Sequence, residues 1–334
     1  MKHYCICVKL IPIIPNGENA MQFGMPTLIE NRTLEDNVNL CRELGLSFIE
    51  LNMNFPEYQV ERLEETENLT TLAEEAGIYY TIHLDENLNI ADFNSLVSDA
   101  YLETVRRAIG AAKKLLFLRE SSRLIPTRFD WSSRVHSPLD DRSLSPQQAS
   151  KLAAESIRLS HKYGDRTQPL TINMHMHHGI FITLPDRKVQ MYDRDFDTYM
   201  HSFAVFREKC EEWIGDADIR ITVENTDGFR EYEKKAIEYL LGSPCFGLTW
   251  DIGHSKATGE KDVPFILEHQ DRLIHFHIHD GKEQPPKNHL ALGDGEIDLA
   301  DRLSLAEKRN ARCVLETKTI EALRKSVMWL KQKG

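Results

Sequence analysis

Eight short runs rich in β-branched residues, separated by longer amphipathic stretches, set the tightest limit on how this chain can fold. The runs fall near 4–8, 48–53, 79–84, 170–176, 219–224, 246–251, 272–279 and 312–316. Strand followed by helix, repeated to this count, predicts a parallel sheet closed on itself: a (β/α)8 barrel occupying 1–334 as one domain. An open doubly wound sheet uses the same alternation. Its glycine-rich first turn is missing, because the chain contains neither GxGxxG nor GxxxxGK[ST].

The helices carry their own punctuation. Thr33-Leu-Glu-Asp36 reads as a capping-box start to a helix that stops at Gly45. A helix over 58–76 closes at Gly77, and Ser145-Pro146 opens one that ends by Gly164. Further helices are expected near 94–114, 194–213, 230–241, 262–269 and 319–332. Three segments interrupt the rhythm. Residues 9–32 read as a long loop after the first strand, and 115–144 as an insertion. Gly179–Tyr192 reads as a lid-like hairpin with its turn at Leu184-Pro-Asp-Arg-Lys188. The first and third leave strand C-terminal ends, so they are expected to wall or cover a site there.

Composition narrows the partners. A net charge of −11 disfavours nucleic acid, since neutralising phosphates supplies most of that affinity. The N-terminus lacks the uncharged h-region of a signal peptide, and no apolar run reaches membrane-spanning length. The six cysteines form no CxxC pair and read as reduced, buried thiols of a cytoplasmic protein. A homo-oligomer is compatible with all of this.

The chemistry lies in how polar residues are spaced along the later strands. Side chains alternate faces along a strand, so in Leu273-Ile-His-Phe-His-Ile-His-Asp280 the residues His275, His277 and His279 share one face. In 171–177 the polar set is Thr171, Asn173, His175 and His177. Strand three ends at His83, strand five at Glu224, strand six at Asp251 with His254 three residues on, and strand eight at Glu316. His289 follows strand seven. A polar inner face is costly to bury unless something satisfies it, and a metal ion does so. Carboxylates mixed with imidazoles suit Mn²⁺, Zn²⁺, Co²⁺ or Mg²⁺. Each residue also has a plainer reading. His83, His275 and His279 could be hydrogen-bonded core histidines, His177 and His178 could stiffen the turn into the hairpin, and Glu224 and Glu316 could be ion-pair partners at the barrel mouth. Convergence of five successive strand ends, four through eight, favours a metal site.

Val223-Glu-Asn-Thr226, Asp251-Ile-Gly-His254, His277-Ile-His-Asp-Gly281, the run from His289 to Asp298, and Leu315-Glu-Thr317 together resemble the xylose isomerase-like TIM-barrel superfamily. That superfamily holds sugar and sugar-phosphate isomerases and epimerases and the apurinic endonuclease IV group. Weaker echoes at Thr81-Ile-His-Leu84 and Asn173-Met-His175 extend the match. The resemblance implies a metal held by Glu224, Asp251, His277 and Glu316, with His254 near substrate. The endonuclease-like members add the counterparts of His83, His175, His254 and His289 as ligands to further ions. Lys287 departs from that pattern, standing where an aspartate ligand is expected, and a cation there would repel a third metal.

Two mechanisms follow. An isomerase or epimerase of carbohydrates would use the metal to stabilise an enediolate, with Glu224 and Glu316 removing and returning the proton. His83, His254, and Lys282 or Lys318 would position substrate oxygens or a phosphate; both lysines read equally well as solvated rim charges. The alternative is an endonuclease IV-like multinuclear phosphoester hydrolase acting on a small phosphodiester or an abasic nucleic acid. A non-catalytic barrel used for binding would explain the fold and leave the ligand set unexplained.

Overall fold

The computed structural model describes residues 21–124 and 169–333. The chain divides into two units, and the described residues 21–119 and 169–333 belong to the first. The first contains a closed barrel of eight strands: β1 (Phe23–Pro26), β2 (Phe48–Asn52), β3 (Tyr79–His83), β4 (Leu170–His175), β5 (Ile219–Glu224), β6 (Phe246–Asp251), β7 (Leu273–His277) and β8 (Arg312–Val314). Neighbours pair in parallel all the way round. The ring shuts where β1 meets β8, with Phe23 opposite Cys313 and Gly24 opposite Val314.

Seven strands lie where the sequence pattern puts them. The first does not. The run at 4–8 lies outside the described residues, and β1 comes from within the stretch expected to be a loop, 9–32. Its sequence, Phe-Gly-Met-Pro, carries two residues that strands usually avoid, yet all four are buried. Packing explains the glycine: a Cβ on Gly24 would sit 2.5 Å from the ring of Phe48. Phe48 in turn stacks on Tyr79 at 5.2 Å, and Tyr79 Oη accepts from Arg312 Nε at 2.9 Å. This layer, built from the first residues of β2, β3 and β8, fills the N-terminal end of the barrel.

Alternation along the strands divides the core into two. Ile49, Leu51, Ile82, Ile172, Met174, Ile221, Val223, Leu248, Trp250 and Phe276 are buried and apolar. Between them stand Glu50, Thr81, Thr171, Asn173, Thr222, Thr249, His275 and His277, equally buried and polar. Contacts between strands far apart around the ring, such as β2 Glu50 with β7 His275, put the polar set inside the barrel.

The helix Leu34–Leu44 begins and ends as expected. Thr33 and Asp36 close a reciprocal capping box, and Gly45 adopts a left-handed φ of 73°. The single helix expected over 58–76 is broken into a 3₁₀ turn (Pro56–Tyr58), a short helix (Val60–Leu63) and a longer one (Thr66–Ala76). The helix expected at 94–114 runs as Ser95–Leu124. The remainder of the 115–144 segment and the helix expected from Ser145 lie outside the described residues. The hairpin is present, Phe181–Thr183 pairing antiparallel with Lys188–Gln190. Among the described residues, no helix is long and apolar enough to cross a membrane. Cys41, Cys210, Cys245 and Cys313 are buried and free; burial pushes the Cys41 thiol up to about 12.

Candidate active site

The parallel barrel delivers its strand ends to one rim, and the polar residues converge there. Glu224 and Asp251 are the last residues of β5 and β6, His277 is the last of β7, and Glu316 lies two residues past β8. Each offers one ligand atom, and the four atoms lie within 4.8 Å of one another. His277 Nδ1 is at the centre, 3.2 Å from Glu224 Oε1, 3.0 Å from Glu316 Oε2 and 4.0 Å from Asp251 Oδ2. Glu224 Oε1, Glu316 Oε2 and both ring nitrogens of His277 are buried without a hydrogen-bond partner, and Nδ1 is the nitrogen that faces the two carboxylates. Buried polar atoms are nearly always paired, so three orphans facing one another need an explanation. Three carboxylates and an imidazole suit a hard or borderline divalent cation.

The electrostatics agree with that fit. Burial opposes ionisation of Glu224, but the charges of His277 and His175 outweigh it and hold the carboxyl well below its usual range. For Glu316 burial is likewise overcome, by Lys318 and His277. Burial opposes a charge on His277, and the surrounding Glu224, Glu50 and Glu316 push its affinity for a proton well above the ordinary value. The field that draws a proton here draws a cation equally.

A profile of the xylose isomerase-like TIM-barrel family matches residues 131–333. The chain belongs to that family. No curated protein matches it by sequence. Among solved structures, this xylose isomerase-like barrel is similar to a D-tagatose 3-epimerase-like protein, at 19% identity and a TM-score of 0.63, with 93% of this chain and 96% of that chain covered. It is also similar to the 3-keto-D-glucoside 4-epimerase from E. coli, at 14% identity and a TM-score of 0.61, covering 93% and 99%. A third, the IOLI protein with a bound zinc atom, is 14% identical with a TM-score of 0.54, covering 93% and 94%.

Further histidines ring the xylose isomerase-like site. His83 Nε2 and His175 Nε2 flank the other oxygen of Glu224, at 3.4 and 3.2 Å. His83 Nδ1 donates to the Leu84 carbonyl at 2.7 Å, which turns Nε2 inward toward Glu224. His254 donates from Nδ1 to the Asn225 carbonyl, and Asp251 Oδ1 accepts the His254 backbone N–H at 2.6 Å. His289 donates from Nδ1 to the Glu316 carbonyl at 3.0 Å; burial lowers its pKa to about 4 and keeps it neutral. His279, His254 and His289 cluster on this side. His279 Nδ1 accepts from the His289 N–H at 2.7 Å, so its Nε2–H donates to Asp251 Oδ2 at 2.9 Å. The ring fits because residue 253 is glycine: a Cβ there would lie 1.9 Å from it.

The two lysines part company. Lys318 Nζ is 2.8 Å from Glu316 Oε1. Lys282 lies on a small antiparallel hairpin, Asp280–Lys282 with Lys287–Leu290, opposite the exposed Lys287, and makes no ion pair among the described residues. His178 does stiffen the root of the longer hairpin, reaching Asp227 and Glu233 at 2.7 Å each.

Sequence reasoning passed over two residues. Asp280 ties down the loop beyond β7, its oxygens accepting the backbone N–H groups of Gly281, Gly293 and Ile297. Glu50 is 1% exposed and touches His275 and His277 from the opposite side of the barrel. Its signal was a glutamate inside the apolar run Phe48-Ile-Glu-Leu51, in a strand with no helix-like charge pattern.

Proposed function

We propose that this chain is a divalent-metal-dependent isomerase or epimerase of a sugar or sugar phosphate. The observation that carries the reading is the pairing of Glu224 and Glu316 across His277, each presenting one buried, unpartnered carboxylate oxygen to the same point. Glu224, Asp251, His277 and Glu316 would hold the cation. When bound, it would supply positive charge that makes a C–H beside a sugar carbonyl acidic.

The remaining chemistry belongs to the side chains. A carboxylate is the base this reaction needs, and both glutamates are held in that form. One takes the carbon-bound proton. Isomerisation returns it to the adjacent carbon, and epimerisation needs a second carboxyl to deliver a proton to the opposite face of the same carbon. Lys318, bound to Glu316 Oε1, would steady that carboxyl and meet a substrate oxygen. His83 and His254 would orient hydroxyls, and Lys282 would take a more distant oxygen or phosphate. The similarity to solved sugar epimerases supports a carbohydrate substrate.

The hydrolase reading has one observation in its favour: His83 and His175 present two imidazoles to Glu224 Oε2, where a second cation would fit. Against it stand Lys287 at the position of an expected acidic ligand and the net charge of −11. The discriminating experiment incubates Mn²⁺-loaded protein with a panel of ketoses, aldoses and their phosphates in D₂O. Deuterium uptake next to the carbonyl, with a new epimer or isomer, is expected. Release of phosphate or phosphomonoester from test diesters, without deuterium exchange, would overturn the proposal.

A further inference from the structure

Glu50 lies outside the four-residue cluster, on β2, yet its carboxylate reaches the far side of His277. Its Oε1 is 2.8 Å from His277 Nε2, while Nδ1 of the same ring looks toward Glu224, Glu316 and Asp251. The other oxygen, Oε2, accepts from Thr81 Oγ1 at 3.2 Å and lies 3.0 Å from His275 Nε2. His275 Nδ1 is in turn 3.5 Å from Thr171 Oγ1. Residues of β2, β3, β4 and β7 thus form one buried polar layer directly beneath the rim cluster.

An ionised carboxylate in a barrel interior is expensive unless several groups hold it, and a chain gains nothing from one unless it does something there. Thr81 and His275 hold Oε2 and leave Oε1 to His277. At 2.8 Å the Glu50 carboxylate is an ion-pair neighbour of His277 Nε2, out of line for a hydrogen bond, and its charge favours the ring proton on that nitrogen, so the lone pair of a neutral ring falls on the other. We infer that Glu50 is a positioning residue. It keeps the imidazole proton of His277 on Nε2 and presents a bare Nδ1 to the Glu224–Asp251–Glu316 carboxylates and the cation they would hold. The inference rests on the proposed cation site, and extends it to a residue with no place in the reaction itself.

The test compares the intact protein with Glu50→Gln and Glu50→Leu, after chelator treatment, by Mn²⁺ calorimetry and by ¹⁵N NMR of labelled histidines. The parent protein is expected to bind one Mn²⁺ and, loaded with diamagnetic Zn²⁺, to keep the His277 proton on Nε2. Glu50→Leu should weaken Mn²⁺ by about ten- to a hundredfold and shift the Nε2 resonance of His277 in the zinc-loaded protein. Glu50→Gln keeps an acceptor oxygen, so it should fall between the two. If the leucine variant does not fold, the glutamine variant carries the comparison. Binding within twofold of the parent in folded variants, with an unmoved His277 Nε2 resonance, would overturn the inference. So would a parent stoichiometry of two that drops to one, because Glu50 would then be a ligand. A parent protein that ignores both Mn²⁺ and Zn²⁺ would instead remove the cation site, and a metal-loaded protein with the His277 proton on Nδ1 would remove the role of Glu50.

Discussion

Lys318 and Glu316 stand two residues apart beyond β8, and Lys318 Nζ closes on Glu316 Oε1 at 2.8 Å while Oε2 of the same carboxyl faces His277 Nδ1. One carboxylate thus divides its oxygens between a rim cation and the buried cluster. The side chain is exposed, but its amino end is partly desolvated where it meets Glu316, and that carboxylate more than restores the charge, so the pair is fully ionised at neutral pH. Lys318→Met should leave folding unchanged, since the lysine side chain is largely exposed. It should lower kcat about tenfold or more by freeing Glu316 to turn. Unchanged kcat with a raised KM would make Lys318 a binding residue only.

Glu224→Gln and Glu316→Gln preserve shape and remove a base. Each is expected to reduce turnover by about a hundredfold or more, the usual contribution of a positioned acid or base. Solvent deuterium exchange separates the roles: a variant that still exchanges the substrate proton has lost only the return step. Full activity in either variant removes that residue from the reaction.

Gly253 sits against the face of His279, and His279 holds Asp251. Gly253→Ala forces a buried ring to move, because its added carbon would meet ring atoms at 1.9 and 2.0 Å. Overpacking of this kind destabilises by about 1–3 kcal/mol. Urea unfolding should register that loss, and Mn²⁺ affinity should fall with it because Asp251 loses its hydrogen-bond donor. Intact affinity would mean that Asp251 needs no such support.

His178 provides a test of the hairpin root away from the cluster. Burial disfavours its charge, but hydrogen bonds to Asp227 and Glu233 raise its pKa to about 9. Asp227 and Glu233 also receive Arg230, whose Nη1 lies against His178 Nδ1, so the two carboxylates hold the charge on His178 against a neighbouring cation. A histidine raised above its unfolded value near 6.5 contributes stability that is complete below that pH and lost as pH rises through the folded value. Stability should therefore decline between about pH 6.5 and 9, and His178→Gln should flatten that decline. Urea midpoints measured across the window decide it. Equal slopes in parent and variant would assign the decline elsewhere.

The architecture was readable because seven strands declare themselves by β-branched runs and because parity sorts their side chains. Asn173, Glu224 and His277 point inward for the same reason that Met174, Val223 and Phe276 point outward. β1 escaped because Phe23-Gly-Met-Pro26 lacks strand propensity and is chosen by closure: Gly24 is what Phe48 leaves room for. Tertiary packing overrode local preference there. The break within 58–76 was equally hidden, since its periodicity continues across the interruption at Glu65. Glu50 could be read from sequence as a strand residue; its contact with His277, more than two hundred positions away, exists only once the ring closes.

If Glu224, Asp251, His277 and Glu316 together hold a single divalent cation, the protein has one strong site for it. Calorimetric titration of Mn²⁺ into chelator-treated protein tests it most directly, alongside Asp251→Asn. One equivalent should bind per chain, with affinity sharply reduced in the variant. Two or more equivalents, or a titration that the variant leaves unaltered, would contradict it.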